Sequence, residues 1–159
     1  MNSAITPIGV IHSPHKTKDV APIQGAFVPE CEGLVVVSQE YEEGLKDIEG
    51  FSHLILIYVF HRSKGYELIC RPYMEDTPHG VFAMRAPRRP NPLGLSVVRL
   101  IRREGSSLYL SGVDMLDGTP LLDIKPFVPK FDHRPRAKVG WMENTFRDED
   151  HRKVSDDRF

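Results

Sequence analysis

The chain has 159 residues, 40% hydrophobic and 27% charged, with a formal net charge of −1. That length admits one compact domain plus a tail and excludes two ordinary domains. No apolar run approaches the ~18 residues of a membrane span, the start MNSAITPIGVIHS lacks the regions of a signal peptide, and a pI near 6.7 argues against a dedicated nonspecific nucleic-acid binder, so the expectation is a cytoplasmic protein.

Short apolar runs separated by turn residues follow one another along the chain. Ile8 to Ile11, Leu34 to Val37, Leu54 to Phe60, Val81 to Met84, Leu95 to Ile101, Leu108 to Val113 and Leu121 to Ile124 each read as a strand. Between the second and third, Gln39 to Ile48 reads as a helix. Ser38 stands at its N-cap, glutamates 40, 42 and 43 favour the positive end of its dipole, Tyr41, Leu45 and Ile48 share a face, and Gly50 ends it. Gly105-Ser106 marks a hairpin turn between Leu95 and Val113. The fold class expected is mainly β, a small β-barrel with one or two short helices and an irregular C-terminal tail. The barrel domain spans 1–135 and the tail 136–159. In the tail, Val139, Trp141, Met142 and Phe146 are expected to dock on the barrel or on a second subunit, with a disordered end after about Asp148.

Charge is unevenly placed. Glu30 to Gly50 holds seven acidic residues and one lysine, whereas Arg71 to Arg103 holds seven arginines against Glu75 and Asp76. The densest positive stretch is GVFAMRAPRRPNPLGLS, Gly80 to Ser96, with Arg85, Arg88 and Arg89 among Pro87, Pro90 and Pro92. Proline fixes φ and lacks a donor, so this is a stiff loop between strands. Guanidinium groups on a stiff loop are placed in advance for an anion or a stacked ring; the alternative is a turn whose arginines face solvent. Farther on, Asp117-Gly118-Thr119-Pro120 is a turn signal, and Asp123 and Lys125 share a strand face, as an ion pair or as chemistry. His53 opens the most apolar strand, while His61-Arg62 closes it, where a barrel mouth is lined. Pro22-Ile23-Gln24-Gly25 is a turn able to bring backbone groups up to a ligand.

Cys31 and Cys70 form no CxxC pair and read as reduced thiols, and no histidine spacing marks a metal site. GxGxxG and GKS or GKT loops are missing as well, so any nucleotide-like cofactor is held in another way.

IGVIHSPHK, the Pro22 loop, GFSHLILIYVFHR, GVFAMRAPRRPNPLGLS and VDMLDGTPLLDIKPFVP, in that order over roughly Ile8 to Pro129, resemble the TsaA or VirR-like family associated with tRNA methyltransferase O. The resemblance implies a β-barrel methyltransferase that uses S-adenosylmethionine to methylate the exocyclic nitrogen of threonylcarbamoyl-adenosine beside the tRNA anticodon. It places cofactor contacts on Pro22, Ile23 and Gln24, on His61 and Arg62, on Arg85 and Leu95, and on Asp117, Gly118, Thr119 and Pro120. Ile23 stands where a basic residue is common, and Met84 and Ala86 stand where Thr and Ser are usual. Longer members resemble this chain plus a C-terminal domain that helps with tRNA, so RNA binding is expected to use the barrel and tail, a homodimer or another protein.

Within that expectation, Arg85 recognises the methionine carboxylate or the adenine, and Asp117 accepts from the ribose hydroxyls or the amino group. The acceptor nitrogen must lose a proton, and His53, His61 and Asp123 are candidate bases, with none singled out. Arg88, Arg89, Arg99, Arg102 and Arg103 are candidates for anticodon-loop phosphates, with strand alternation placing Arg99 and Arg102 on opposite faces. Aromatic residues near the site would stack on an unpaired base. The competing readings are an S-adenosylmethionine-binding enzyme with another substrate, and a non-catalytic module for RNA or an anion.

Overall fold

The computed structural model describes residues 4–73 and 75–146, so the end of the tail expected to be disordered lies outside the described residues. Among the described residues there are eight strands: β1 (Gly9–His12), β2 (Glu32–Val37), β3 (His53–Val59), β4 (Ile69–Cys70), β5 (His79–Gly80), β6 (Leu93–Glu104), β7 (Ser107–Ser111) and β8 (Thr119–Pro126). Six of them close an antiparallel barrel in the order β1-β2-β7-β6-β3-β8, and β4 pairs with β5 in a separate ribbon. Closure leaves no strand edge in the barrel unpaired.

Alternation along the strands decides what fills the barrel. Leu54, Leu56 and Tyr58 of β3 point inward, as do Gly94, Ser96 and Val98 of β6, and the register sets Tyr58 opposite Gly94 and Leu56 opposite Ser96. Ile11, Val35, Leu54, Leu56, Leu108, Leu110 and Leu121 are fully buried, each contributing roughly 1.5–3 kcal/mol of transfer free energy. A second cluster, Cys70, Val81, Met84 and Ala86 with Tyr73 and Trp141 against it, lies under the loop that follows β5. Met84 and Ala86 serve packing there: both are buried, and Cys70 Sγ contacts Met84 Sδ at 3.4 Å.

The β6–β7 hairpin turns at Gly105, whose φ of 57° is left-handed, the conformation that glycine adopts without steric cost. Three expectations are corrected. The helix expected over Gln39–Ile48 is instead a 3-10 helix over Gln39–Leu45 and another over Ile48–Gly50, broken at Asp47, which takes φ 68°. Ser38 occupies the cap position without a side-chain hydrogen bond. Val81 to Met84 is not a strand but begins a 3-10 turn, Val81–Ala83. Val81 and Met84, three apart, eclipse one another on such a turn and bury together in the second cluster. A register shift between Leu100 and Arg102 also resets the alternation of β6, so Arg99 opposite Ser111 and Arg102 opposite Tyr109 share one face.

Beyond β8, α1 (Pro129–Asp132) and α2 (Met142–Thr145) are single turns. Trp141 docks on this chain: its indole donates to Ala83 O at 2.9 Å and stacks on His79 with ring centroids 4.5 Å apart. Val139 and Phe146 stay exposed. No helix of the described residues is long and apolar enough to cross a membrane.

Candidate functional site

Where β3 and β6 reach the barrel mouth, the chain leaves a cavity of about 860 Å³, near the upper end of the roughly 300–1,000 Å³ typical of small-molecule sites. Its lining comes from four separate stretches, 18–24, 58–64, 82–95 and 114–119, together with Tyr73. Pro22, Ile23, Gln24, His61, Arg62, Arg85, Leu95 and Thr119 all line it, whereas Asp117, Gly118 and Pro120 stand outside the lining.

The floor is a hydrogen-bonded chain that sequence reading missed. Asp114 accepts from Gly25 N–H through Oδ2 at 2.7 Å and from the Ser96 hydroxyl through Oδ1 at 2.7 Å. With the Ser96 hydrogen committed to Asp114, the Tyr58 hydroxyl, 3.0 Å away, donates to Ser96 Oγ. Burial raises the Asp114 carboxyl above its ordinary value, and the hydrogen bonds from Ser96 and Gly25 reduce that rise without reversing it. Burial and the Asp114 charge push the Tyr58 phenol up, so it stays a donor. Gly94 makes the arrangement possible: a Cβ there would lie 2.2 Å from the Tyr58 ring.

Above this floor Arg85 is exposed and lines the cavity, and among the described residues it has no hydrogen bond or ion pair. Its charge reaches the Tyr58 hydroxyl. The neighbouring arginines are spoken for. Arg89 donates to Met84 O at 3.0 Å and Ala86 O at 3.3 Å, clipping its own loop, and Arg88 pairs with Glu67 at 3.2 Å. Away from the cavity, Arg99 holds Ser111, Arg102 bonds Glu104 and lies over the Tyr109 ring, and Arg103 ties the Leu45 carbonyl and Glu49.

His61 sits at the rim, its pKa lowered by burial and by the adjacent Arg62 charge, so the ring is neutral near pH 7. Thr119 Oγ1 gives its hydrogen to Leu116 O at 2.6 Å and has only lone pairs left for His61 Nδ1, a long contact at 3.4 Å. That assigns the proton to Nδ1 and leaves Nε2 bare. The other two candidate bases are elsewhere: His53 lies at the opposite end of β3, bonded to Ser52, and Asp123 pairs with Lys125 at 2.7 Å on the outside of the barrel.

Asp117 acts from behind the wall. Its carboxylate accepts from Ser13 N–H at 3.1 Å and from Lys16 Nζ at 2.7 Å, with His12 Nδ1 3.5 Å away. These donors hold its pKa down at about 2. The loop it fastens supplies Lys16 O to the Arg62 guanidinium at 2.7 Å. Phe82 and Tyr73 add aromatic surface to the cavity, Phe82 being 76% exposed. Asp114 is the lone acid in the lining, facing Lys18, Arg62, Lys64, Arg85, Arg88 and Arg89, a field that favours an anionic partner.

The model of the family described as tRNA-methyltransferase O N-terminal domain matches residues 10–133. A protein of Pyrococcus abyssi described as a probable S-adenosyl-L-methionine-binding protein is 58% identical over 137 residues, covering 86% of this chain and 74% of its own. The mouse tRNA (adenine(37)-N6)-methyltransferase is 35% identical over 145 residues, 87% of this chain but 34% of the mouse protein. Among solved structures, TrmO from Pseudomonas aeruginosa superposes with a TM-score of 0.75 at 38% identity, over 89% of this chain and 63% of that one. The chain therefore spans about a third of the mouse relative and less than two thirds of the bacterial structure.

Proposed function

Because the chain belongs to the tRNA-methyltransferase O N-terminal domain family, we propose that it binds S-adenosylmethionine in the barrel-mouth cavity and methylates tRNA. The acceptor in this reading is the exocyclic nitrogen of threonylcarbamoyl-adenosine beside the anticodon. The observation that carries it is an unpartnered guanidinium, Arg85, and a lone carboxylate, Asp114, in one cavity that also presents the apolar surfaces of Phe60, Leu93 and Leu95. A ligand with a carboxylate, cationic centres and a flat heterocycle finds a complement for each there.

When bound, the cofactor supplies an electrophilic methyl group for in-line displacement by nitrogen. Everything else is asked of the chain. Arg85 takes the carboxylate or the face of the heterocycle, since nothing in the protein competes for it. Asp114, its two oxygens fixed by the Gly25 and Ser96 donors, presents the one acidic group of the lining to a cation. Pro22, Ile23 and Gln24 with Leu95 and Thr119 form the remaining wall, and Asp117, Gly118 and Pro120 support that wall from behind rather than touching the ligand. His61, neutral and bare at Nε2, takes the acceptor's proton. Phe82 and Tyr73 give an unstacked base an aromatic face.

The homodimer expected from the sequence fits the outside of β3 and β6. Leu93, Leu95, Val97 and Ile101 are each about two-fifths exposed, and Ile55, Ile57 and Val59 lie beside them in register. A contiguous exposed apolar strip of this kind suits a protein partner such as a second copy. Leu93 and Leu95 also line the cavity, so that copy would meet its edge. Sedimentation velocity on Val97→Glu checks this, with a shift to monomer expected.

The functional test incubates the protein with methyl-labelled S-adenosylmethionine and tRNA from cells that make, or cannot make, threonylcarbamoyl-adenosine, then analyses the nucleosides by mass spectrometry. Label appearing in that nucleoside alone supports the reading. Cofactor binding without incorporation points to another substrate, and no cofactor affinity leaves a module for RNA or an anion.

A further inference from the structure

Between α1 and Trp141 the chain runs as an exposed strap tied down at both ends. At its start, Phe127 N donates to His53 O at 3.0 Å and Asp132 caps Val128 N–H at 2.7 Å. At its end, the Trp141 indole is held by Ala83 O and the His79 ring. Ala83 sits between Phe82 and Met84, both of which line the cavity, so the strap finishes one residue from the site.

Midway, Ala137 N donates to Arg134 O at 3.0 Å, closing a turn with Pro135 at its favoured second position. The run reads Arg134-Pro135-Arg136-Ala137-Lys138: three cations in five residues and no acid. All five residues are exposed. Among the described residues Arg134 donates only to the carbonyl of its neighbour His133. Neither Arg136 nor Lys138 has a hydrogen bond or ion pair among the described residues. The arginines of the proline loop and of β6 singled out in the sequence for phosphates are, by contrast, engaged with protein groups.

We infer that the Arg134–Lys138 turn is a phosphate-binding arm that carries the RNA backbone up to the cavity, an inference that rests on the tRNA reading above. Anchoring at both ends preorganises the three charges, so little chain entropy is lost when RNA binds. Phosphate binding by cations releases condensed counterions and gives a salt dependence proportional to the number of contacts.

The test measures binding of unmodified tRNA by fluorescence anisotropy from 0.05 to 0.5 M salt for the wild type and for the triple variant Arg134→Gln, Arg136→Gln, Lys138→Gln. With about 0.7 of a counterion released per single-strand contact, the slope of log K against log salt falls by about 2 in the variant, an affinity loss of about a hundredfold at 0.1 M that fades at high salt. A control with Lys46→Gln, Arg102→Gln and Lys125→Gln removes the same charge from other surfaces and is expected to keep most of the slope. Calorimetric S-adenosylmethionine affinity stays at the wild-type value in both variants. An unchanged slope in the strap variant, or an equal fall in the control, overturns the arm. A wild type that does not bind tRNA at any salt overturns the tRNA reading, and the arm with it.

Discussion

Replacing Asp117 by Asn tests whether the DGTP turn works by holding the wall of the site. Asparagine keeps an oxygen for the Ser13 N–H but turns an NH₂ group toward the Lys16 ammonium, which loses its acceptor. The depression of the carboxyl from its ordinary 3.8 to about 2 corresponds to about 2.4 kcal/mol of preference for the ionised form. The Lys16 side chain is 68% exposed, so solvent screening reduces the share that appears as stability to about 1–1.5 kcal/mol. For a domain of this size that is a fall in Tm of roughly 3–6 °C at pH 7. The sign with pH is fixed: a carboxyl whose folded pKa is depressed stabilises above the unfolded pKa and loses that contribution as pH falls toward 2. About half of the wild-type advantage is therefore gone by pH 3. Differential scanning calorimetry of both proteins from pH 7 to pH 3 measures this. Because Lys16 O holds Arg62, cofactor affinity at pH 7 should fall severalfold as well. Equal Tm values at pH 7, or a gap that does not narrow on acidification, would refute the argument.

Arg85→Ala removes a guanidinium with no protein partner, so stability should hold while cofactor affinity, by calorimetry, drops about 10- to 150-fold, the value of a hydrogen bond between charged groups; unchanged affinity would remove Arg85 from the site. Gly94→Ala sets a methyl group 2.2 Å from the buried Tyr58 ring, an overpacking cost of about 1–3 kcal/mol; urea denaturation reads the loss, and wild-type stability would mean that the ring moves freely. Phe82→Ala exchanges an exposed ring and should leave Tm alone while raising KM for tRNA about tenfold, the worth of one base stacked on an aromatic ring. His61→Gln retains a polar side chain but no base, and single-turnover methylation should slow by about 10²-fold or more while both ligands still bind.

Much of the fold could be read because the barrel strands carry their own alternation. Leu54, Leu56 and Tyr58 are three inward positions of one strand, and Gly105 is where a two-residue hairpin turn belongs. Where local pattern failed, tertiary contacts had decided. Val81 and Met84 read as strand by composition, but burying both against Cys70 needs the three-residue repeat of a 3-10 turn. The extra residue at Ile101 that puts Arg99 and Arg102 on one face leaves no mark in composition. Arg85 could be singled out because arginine on a proline-stiffened loop is informative by itself. Asp114 could not. Beside an obvious turn it reads as turn chemistry, and its role emerges only when Gly25 and Ser96, far off in sequence, bring their donors to it. Asp117, the more conspicuous aspartate of that stretch, spends its carboxylate on the N-terminal loop.

The barrel's closing seam joins residues 9–11 of β1 to residues 119–121 of β8. The chain must therefore be synthesised through residue 121 before its first strand finds its last partner, and the loop entropy of that encounter is met late in folding. Thr119 lies in β8 and Asp114 just before it, so both of these wall residues come from the stretch that completes the ring. Folding of the ring and assembly of the cavity are one event. A chain truncated before β8 would keep Arg85 and its stiff loop but have no pocket to present them to, and the onset of ligand binding during refolding would report the moment at which the first and last strands meet.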